Sequence, residues 1–274
     1  MQNRIQQIST HIQPSTMSSQ PELTLYTGQT PNGVKISIAL ELLSLPYKTY
    51  QIALSKMEQK EPWFLAINPN GRIPALTDHS PPLSDNKPLH IMESGAILFY
   101  LAETYDSDHK ISFPKSSHEH WEMVQWVMWQ NAGLGPMQGQ ANHFYRYAPE
   151  KIQYGIDRYV NEGRRLYGVL NARLKEQEEK NGSGFIVGDH ISLADITSFG
   201  WASSAEWAGI ELSEFPYVQK WIKTVEAIES VEKGRNVPEP SGLRKIMGDK
   251  AAMDAHAAKS SAWIMQGMKD DAKK

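Results

Sequence analysis

Thr30-Pro31-Asn32-Gly33 is the stretch that decides the fold, because it separates two segments with different hydrophobic patterns. The short apolar run at 23–26 predicts a β-strand, and the apolar stripe at 33–44 predicts an α-helix. Asn32 lies where an N-cap side chain is expected, and the unpaired N–H groups of a helix start favour an anion, a thiolate included. A plain capping turn explains the same four residues, so their neighbours must decide between the two interpretations.

The composition indicates a globular protein with small molecules or proteins as partners. Its 274 residues suggest two domains, and 40% hydrophobic residues are enough for a substantial core. A formal net charge of -3 provides no basic field for nucleic acid or anionic lipid. We see neither a long apolar run nor a secretion signal, and we expect a cytoplasmic protein with no membrane partner.

Cysteine is absent from the sequence. Its absence excludes disulfides, thiolate metal sites and any thiol chemistry carried by the protein itself. The nine histidines show no spacing typical of metal ligands, so we expect no metal site. If sulfur chemistry occurs here, the ligand must bring the sulfur.

Changes of pattern divide the chain into four regions. Residues 1–21 are rich in glutamine, lack acidic residues and predict a disordered leader. Residues 22–106 alternate between strand and helix patterns, and residues 115–235 are helical throughout. The sequence does not decide whether the remaining C-terminal tail, residues 236–274, packs on the protein or extends freely.

The first domain is predicted to have a βαβ unit followed by a ββα unit. Further strands are predicted at 47–52, 73–76 and 89–92, and a helix opens at Glu93. Pro74 lies within the third of the four strands, where it cannot donate to a ladder, so it belongs at an edge or in a special turn.

The second domain is predicted to be all-α. Its first helix contains the apolar run 121–129 and is interrupted at 133–136, and its second begins after Pro149. Ser192 and Asp195 form a capping box, whose acidic residue should stabilise the helix start by about 1 kcal/mol without touching chemistry. The last regular helix is expected at 217–231.

A βαβ-ββα module with a proline before its third strand is the thioredoxin-like pattern. Redox members of that group place Cys-x-x-Cys where this chain has residues 30–33. Without a dithiol, thioredoxin chemistry is excluded. The same helix N-terminus can still hold a thiolate that belongs to a ligand.

Four motifs together carry a resemblance to a known family. They are Thr30-Pro31-Asn32-Gly33, Asn68-Pro69-Asn70-Gly71-Arg72-Ile73-Pro74-Ala75-Leu76, Glu93-Ser94-Gly95-Ala96-Ile97-Leu98 and Gly133-Leu134-Gly135-Pro136-Met137. From about Leu23 to Gly234 the chain resembles a cytosolic glutathione transferase. It is similar to the nu class and to the fungal nitrogen-regulator-type branch that contains a yeast prion protein. The resemblance implies an α/β thioredoxin-like domain followed by an all-α domain.

The resemblance assigns roles to residues around the turn. Asn32, together with the Thr30 hydroxyl, would donate to the glutathione sulfur and lower the pKa of the thiol. Ile73, ahead of a cis Pro74, would pair its backbone with the cysteinyl backbone of glutathione. Tyr26 lies at a strand end before the turn, and we interpret it as a packing residue.

The ends of glutathione have their own candidates. Ser94 at a helix start suits the γ-glutamyl carboxylate, and Glu93 suits the ammonium group, although an ordinary helix cap explains the serine equally. Gln59 matches a loop position that contacts the glycyl end. Arg158 matches an arginine of the all-α domain, with a solvated helix face as the alternative, and Arg72 is a further candidate.

The second substrate should bind where the all-α domain overhangs the turn. Aromatic residues and methionines in that part of the sequence are the candidates, with ordinary core packing as the alternative. They are Met137, Phe144, Tyr145 and Trp207.

The resemblance therefore implies a homodimeric glutathione S-transferase with glutathione as co-substrate and no metal. The thiolate would attack an electrophilic carbon, giving a conjugate, or a disulfide, giving exchange; peroxide reduction is a related activity. The sequence does not separate detoxification from metabolite biosynthesis. The alternatives are a non-catalytic glutathione-binding regulator that docks a partner protein, and a scaffold of the same fold.

Overall fold

The computed structural model describes residues 21–83, 85 and 87–272, so the leader predicted at 1–21 lies, apart from Pro21, outside the described residues. Four strands and ten α-helices make up the regular structure of that part of the chain. The strands are β1 (Leu23–Thr27), β2 (Tyr47–Gln51), β3 (Ala75–Asp78) and β4 (Leu89–Met92). The helices are α1 (Gly33–Leu42), α2 (Pro62–Leu65), α3 (Ser94–Tyr105), α4 (His118–Trp129), α5 (Gly135–Asn142), α6 (Gln153–Asn181), α7 (Leu193–Ala202), α8 (Pro216–Glu226), α9 (Glu229–Arg235) and α10 (Lys250–Asp271).

The strands form one mixed sheet in the order β2-β1-β3-β4. β1 is parallel to β2, as the βαβ connection requires, and antiparallel to β3, which in turn is antiparallel to β4. This is the predicted thioredoxin-like domain, followed by the predicted helical domain.

The third strand lies two residues later than predicted. The sequence placed it at 73–76, but the ladder begins at Ala75, which pairs with Tyr26 of β1. Pro74 has no N–H to donate, so the ladder starts after it. The Ile73-Pro74 peptide bond is cis, as the resemblance implied.

Helix α1 is enclosed on all sides rather than amphipathic. Residues 33–40 are all buried, and α1 packs against α3, α7 and α9. Gly234 of α9 approaches so closely that a Cβ there would lie 2.5 Å from the Cα of Ile38. The helix that begins at the 30–33 turn is therefore the junction between the two domains.

Two predictions about the helical domain are wrong. Residues 133–136 do not interrupt the first helix, because a π-helical segment, Gln130–Leu134, joins α4 directly to α5. The wider turn continues the helical backbone through Gly133. The last regular helix predicted at 217–231 is two helices, with a break at 227–228 between α8 and α9.

The capping box at the start of α7 is confirmed but does more than cap. Asp195 is fully buried and accepts hydrogen bonds from Ser192 N, Ile186 N and Trp221 Nε1 at 3.0, 2.9 and 2.8 Å. Burial raises the pKa of this carboxyl to about 6. Asp195 therefore ties a helix start, a loop and α8 together, and we expect its removal to cost more than the 1 kcal/mol of an ordinary cap.

The C-terminal tail packs on the protein. Met253 and Ala257 of α10 are buried against Trp207, and Ser261 Oγ donates to the carbonyl of Tyr147 at 2.7 Å. None of the helices in the described part of the chain is long and apolar enough to span a bilayer.

Candidate functional site

The turn before α1 is capped by a different residue from the one predicted. Thr30 Oγ1 accepts the hydrogen bond from Gly33 N at 3.0 Å, whereas the Asn32 side chain makes no capping bond. Asn32 already has helical backbone angles, φ -86° and ψ -34°, which direct its side chain away from the capping position. The prediction that Asn32 caps the helix is therefore wrong.

Asn32 is instead held by the helical domain. The indole Nε1 of Trp201, on α7, donates to Asn32 Oδ1 at 2.9 Å. An indole N–H can only donate, so the amide atom that it meets must be the oxygen. The amide nitrogen, with its two N–H donors, is thereby left to face another acceptor at the start of α1.

Glycine lets α7 come close enough for this contact. A Cβ at Gly200 would lie 2.6 Å from the carbonyl oxygen of Pro31, which is closer than a side chain tolerates. The backbone of Trp201 is held by a buried pair of hydrogen bonds. Gln138 Nε2 donates to the Trp201 carbonyl at 2.9 Å, and the Tyr167 hydroxyl donates to Gln138 Oε1 at 2.6 Å. The orientation of Asn32 is thus set by a buried network of the second domain.

The loop before β3 lies against the same turn. A Cβ at Gly28 would lie 3.2 Å from Ile73 Cδ1, and the Ile73 backbone precedes the first ladder pair of β3. Gln59 lies behind this loop, with its backbone carbonyl against Gly71. Gln59 is 7% exposed, and its Oε1 is buried without a hydrogen-bond partner among the described residues.

A buried lysine supports the start of α3. Lys35 Nζ donates to Ser94 Oγ at 3.3 Å and to Gln130 Oε1 at 2.6 Å. Because the Ser94 oxygen accepts from the amine, its own hydroxyl proton remains to be donated to a ligand. Burial lowers the pKa of Lys35 to about 7, partly offset by the charge of Glu93.

Glu93 occupies strained backbone directly before Ser94. Its φ of +69° lies in the region that favours glycine, and Asn70 Nδ2 donates to its Oε1 at 3.4 Å. Non-glycine residues adopt such angles mostly where the surroundings impose them, often at functional sites. The motifs at 68–76 and 93–98 thus meet at one edge of the sheet.

The two predicted cations, Arg72 and Arg158, are both exposed. Arg72 is exposed, and its carbonyl accepts a hydrogen bond from Asn68 Nδ2 at 2.7 Å. Arg158 is exposed on α6, which packs against α5, α8 and the π-helical segments. Tyr26 packs among Tyr50, Trp63 and Phe64, as expected.

A cavity of about 340 Å³ opens beside the turn. Thr30 and Pro31 form one side of it, and Phe199, Trp207 and Tyr147 of the helical domain form another. Trp207 Nε1 donates to the Tyr147 hydroxyl at 2.8 Å, which fixes the indole in the wall. Trp207 is therefore the member of the predicted second-substrate set that the structure brings to the turn.

The other three members lie elsewhere. Met137 packs partly buried against the main core, and Phe144 stacks on Tyr159 with ring centroids 5.4 Å apart. Tyr145 lines a different cavity of about 820 Å³. Met137 and Phe144 match the packing alternative, whereas Tyr145 borders a cavity other than the one beside the turn.

Sequence reasoning missed Trp201, Lys35 and Gln130. Trp201 and Lys35 lie within helices of mostly apolar neighbours, where neither polar atom gives a local signal. The described residues hold no group of three or more histidine, aspartate or glutamate side chains that could bind a metal ion.

Two family models match the chain. Residues 21–103 match the glutathione S-transferase N-terminal domain, and residues 141–229 match the glutathione S-transferase C-terminal domain. The resemblance on the four motifs is thereby confirmed.

Individual relatives agree with the models. The disulfide-bond oxidoreductase YfcG of Escherichia coli is 41% identical over 73% of this chain and 87% of its own length. The glutathione S-transferase-like protein tpcF of Aspergillus fumigatus is 39% identical over 77% of this chain and 94% of its own. A solved glutathione transferase homolog from Lodderomyces elongisporus, with two glutathione molecules per subunit, superposes with a TM-score of 0.75 at 41% identity. That superposition covers 79% of this chain and 99% of the other.

Proposed function

This chain belongs to the glutathione S-transferase family, and we propose that it activates the glutathione thiol at the start of α1 and transfers the sulfur to an electrophile. The observation that carries the proposal is the Trp201–Asn32 hydrogen bond of 2.9 Å. By occupying the amide oxygen, the indole directs the amide nitrogen toward the acceptor that a thiolate provides.

The turn supplies three kinds of stabilisation for a thiolate. Asn32 Nδ2 donates to the sulfur, and the Thr30 hydroxyl, whose oxygen already accepts from Gly33 N, has its proton left to donate as well. The positive end of α1 adds a further favourable field. Each of these favours the charged form of the thiol, so together they lower its pKa toward neutral pH.

The rest of the tripeptide lies along the sheet edge. Ile73 offers its backbone to the cysteinyl residue, and Gln59, in the loop after β2, contacts the glycyl end. Ser94 donates to the γ-glutamyl carboxylate, and Glu93 accepts from the ammonium group. Arg72 and Arg158 are exposed, so we expect them to contribute less than these four residues.

The reaction follows from the activated sulfur. The thiol proton is released to water, the thiolate electron pair forms a carbon–sulfur bond, and the leaving group departs with the electron pair of its bond to that carbon. Against a disulfide, the thiolate forms a new sulfur–sulfur bond and expels the other sulfur as thiolate. A second glutathione then completes the reduction. The similarity to YfcG favours this second reaction as a companion activity.

Steady-state kinetics test the proposal. We expect Asn32→Ala to lower kcat/KM for glutathione by about tenfold to a hundredfold, the range of one hydrogen bond to a charged group. Thr30→Val should have a smaller effect. Asn161→Ala, an exposed asparagine on α6, is the matched control and should match the wild type. Equal rates for Asn32→Ala and Asn161→Ala would sink the assignment.

We further propose that the protein forms a homodimer and is located in the cytoplasm. Trp121 and Met128, two turns apart on α4, are 61% and 52% exposed and form an apolar patch suited to a second copy. Sedimentation of Trp121→Glu beside the wild type tests this, since an unchanged dimer would place the interface elsewhere. Cytoplasmic glutathione supplies the co-substrate, and imaging of a fluorescent fusion tests the location.

A further inference from the structure

Lys35 is an amine enclosed at the junction of the two domains. The residue is 0% exposed, and its Nζ reaches the start of α3 and the π-helical segment of the helical domain. The distances are 3.3 Å to Ser94 Oγ and 2.6 Å to Gln130 Oε1. Fully buried lysines are rare unless an opposite charge offsets their desolvation, and neither of these neutral oxygens supplies one.

Both acceptors of the amine are held in place by the helical domain. Gln130 Oε1 also accepts from Thr197 Oγ1 of α7 at 2.8 Å, which fixes the amide. A Cβ at Gly95, the residue after Ser94, would lie 2.4 Å from Asn131 Nδ2, so the start of α3 lies against the same π-helical segment. The amine therefore has a fixed position directly behind the Ser94 hydroxyl.

Glu93 is the charged group whose field acts on the amine, within the part of the chain that the structure describes. The other titratable residues of α1 and of the elements that pack on it bond to or pack against other partners. They are Glu41 of α1, Tyr26 of β1, Tyr100, Glu103 and Tyr105 of α3, Asp195 of α7, and Glu229, Glu232, Lys233 and Arg235 of α9. Burial outweighs the charge of Glu93 and lowers the pKa of Lys35 to about 7.

A carboxylate at the start of α3 would supply the missing charge. The Ser94 hydroxyl can donate its proton to such a group while its oxygen still accepts from Lys35. The carboxylate then lies within two hydrogen-bond lengths of the amine, about 6 Å, where an opposite charge favours the protonated form. Glu93 is assigned to the ammonium group of the ligand, so Lys35 is left to offset the carboxylate.

We propose that Lys35 is a positioning residue for the γ-glutamyl end of glutathione, which acts through Ser94 as the buried counter-charge of the carboxylate and takes up a proton from solvent when the tripeptide binds. This inference rests on the proposed function, since it concerns how that site recognises glutathione. The bound carboxylate raises the pKa of Lys35 above its value of about 7 in the free protein. The affinity is therefore greatest below about pH 7 and falls as the pH rises above it.

Calorimetric titration with S-methylglutathione tests the inference, because this ligand keeps the tripeptide and lacks the thiol proton. Titrations at about pH 8 in buffers with different ionisation enthalpies count the protons exchanged on binding. We expect the wild type to take up about one proton more per ligand than Lys35→Met, in which only the groups of the ligand and of the remaining site titrate. From about pH 7 to 8.5 the wild-type dissociation constant should rise about tenfold more than that of the variant.

Two further variants separate the charge of Lys35 from its packing. Lys35→Gln keeps a side-chain donor without the charge and should show the same proton count as Lys35→Met. Lys48→Met, at an exposed lysine paired with Glu22, should match the wild type in proton count and affinity. If the wild type and Lys35→Met take up equal numbers of protons, the inference is overturned, and a loss of affinity alone would make Lys35 a packing residue.

The wild type decides the matter even where a Lys35 variant fails to fold. A dissociation constant for S-methylglutathione that stays flat from about pH 7 to 8.5 overturns the inference while leaving the proposed function intact. If the wild type binds no S-methylglutathione at any pH, the proposed function fails first, and the inference fails with it.

Discussion

Replacing Lys35 by methionine should remove a pH dependence from the stability of the protein. Burial lowers the pKa of this amine from 10.5 to about 7 in the native state, whereas the unfolded chain restores the ordinary value. Between these two values the unfolded chain binds more protons than the native protein. The free energy of unfolding therefore rises with pH across this window, and the gain is lost as the pH falls through the native pKa.

The size of the effect follows from the shift. One proton difference corresponds to a slope of about 1.4 kcal/mol per pH unit. Between about pH 7.5 and 9 the Lys35 contribution sums to about 2 kcal/mol. Methionine fills a similar volume without a titrating group, and Gln130 Oε1 keeps its bond from Thr197 at 2.8 Å.

Urea unfolding followed by tryptophan fluorescence measures this contribution at fixed protein concentration. The wild type should gain about 2 kcal/mol more than Lys35→Met over that range. Lys48→Met, at a 73% exposed lysine, is the matched control and should follow the wild type. Parallel curves for the wild type and Lys35→Met would contradict this expectation and show that the buried amine keeps its proton.

Three other substitutions probe the framework of the site. Asp195→Ala should lower the free energy of unfolding by about 3–5 kcal/mol, because buried donors lose their acceptor. A loss near 1 kcal/mol in urea unfolding would show that Asp195 acts only as a helix cap. Gly200→Ala should displace the turn and lower kcat/KM for glutathione at least tenfold, whereas Gly139→Ala, where a Cβ meets the nearest ring at 3.6 Å, should not. Trp201→Phe should lower kcat/KM for glutathione, because the Asn32 amide becomes free to rotate. Unchanged kinetics would show that the indole does not orient Asn32.

The fold could be predicted because its signals are local. Three features each specify a conformation within a few residues: the turn at 30–33, Pro74 before β3, and the capping box of Ser192 and Asp195. Each of them lies in or next to an element that the sequence predicted. The errors came where the helical backbone departs from the regular α-helical hydrogen-bond pattern. The π-helical segment at 130–134 continues the helix through a glycine-containing stretch that, judged from the sequence alone, predicts a helix break.

The candidate site was predicted only in part because its support is not local. Asn32 and Trp201 are separated by 169 positions, and no pattern around either residue indicates the other. From the sequence alone, Lys35 is an ordinary charged residue of a helix. Its burial results from packing on all sides of α1, which the local sequence does not show.

Ultraviolet difference absorbance of bound glutathione near neutral pH detects the thiolate itself, so it shows whether the start of α1 activates the sulfur. We expect a thiolate signal on adding glutathione to the wild type, and a clearly weaker signal for Asn32→Ala at saturating ligand. Calorimetry establishes saturation for both proteins. Glutathione that binds the wild type without a thiolate signal, or a signal that Asn32→Ala leaves unchanged, would contradict the claim that the start of α1 activates the sulfur.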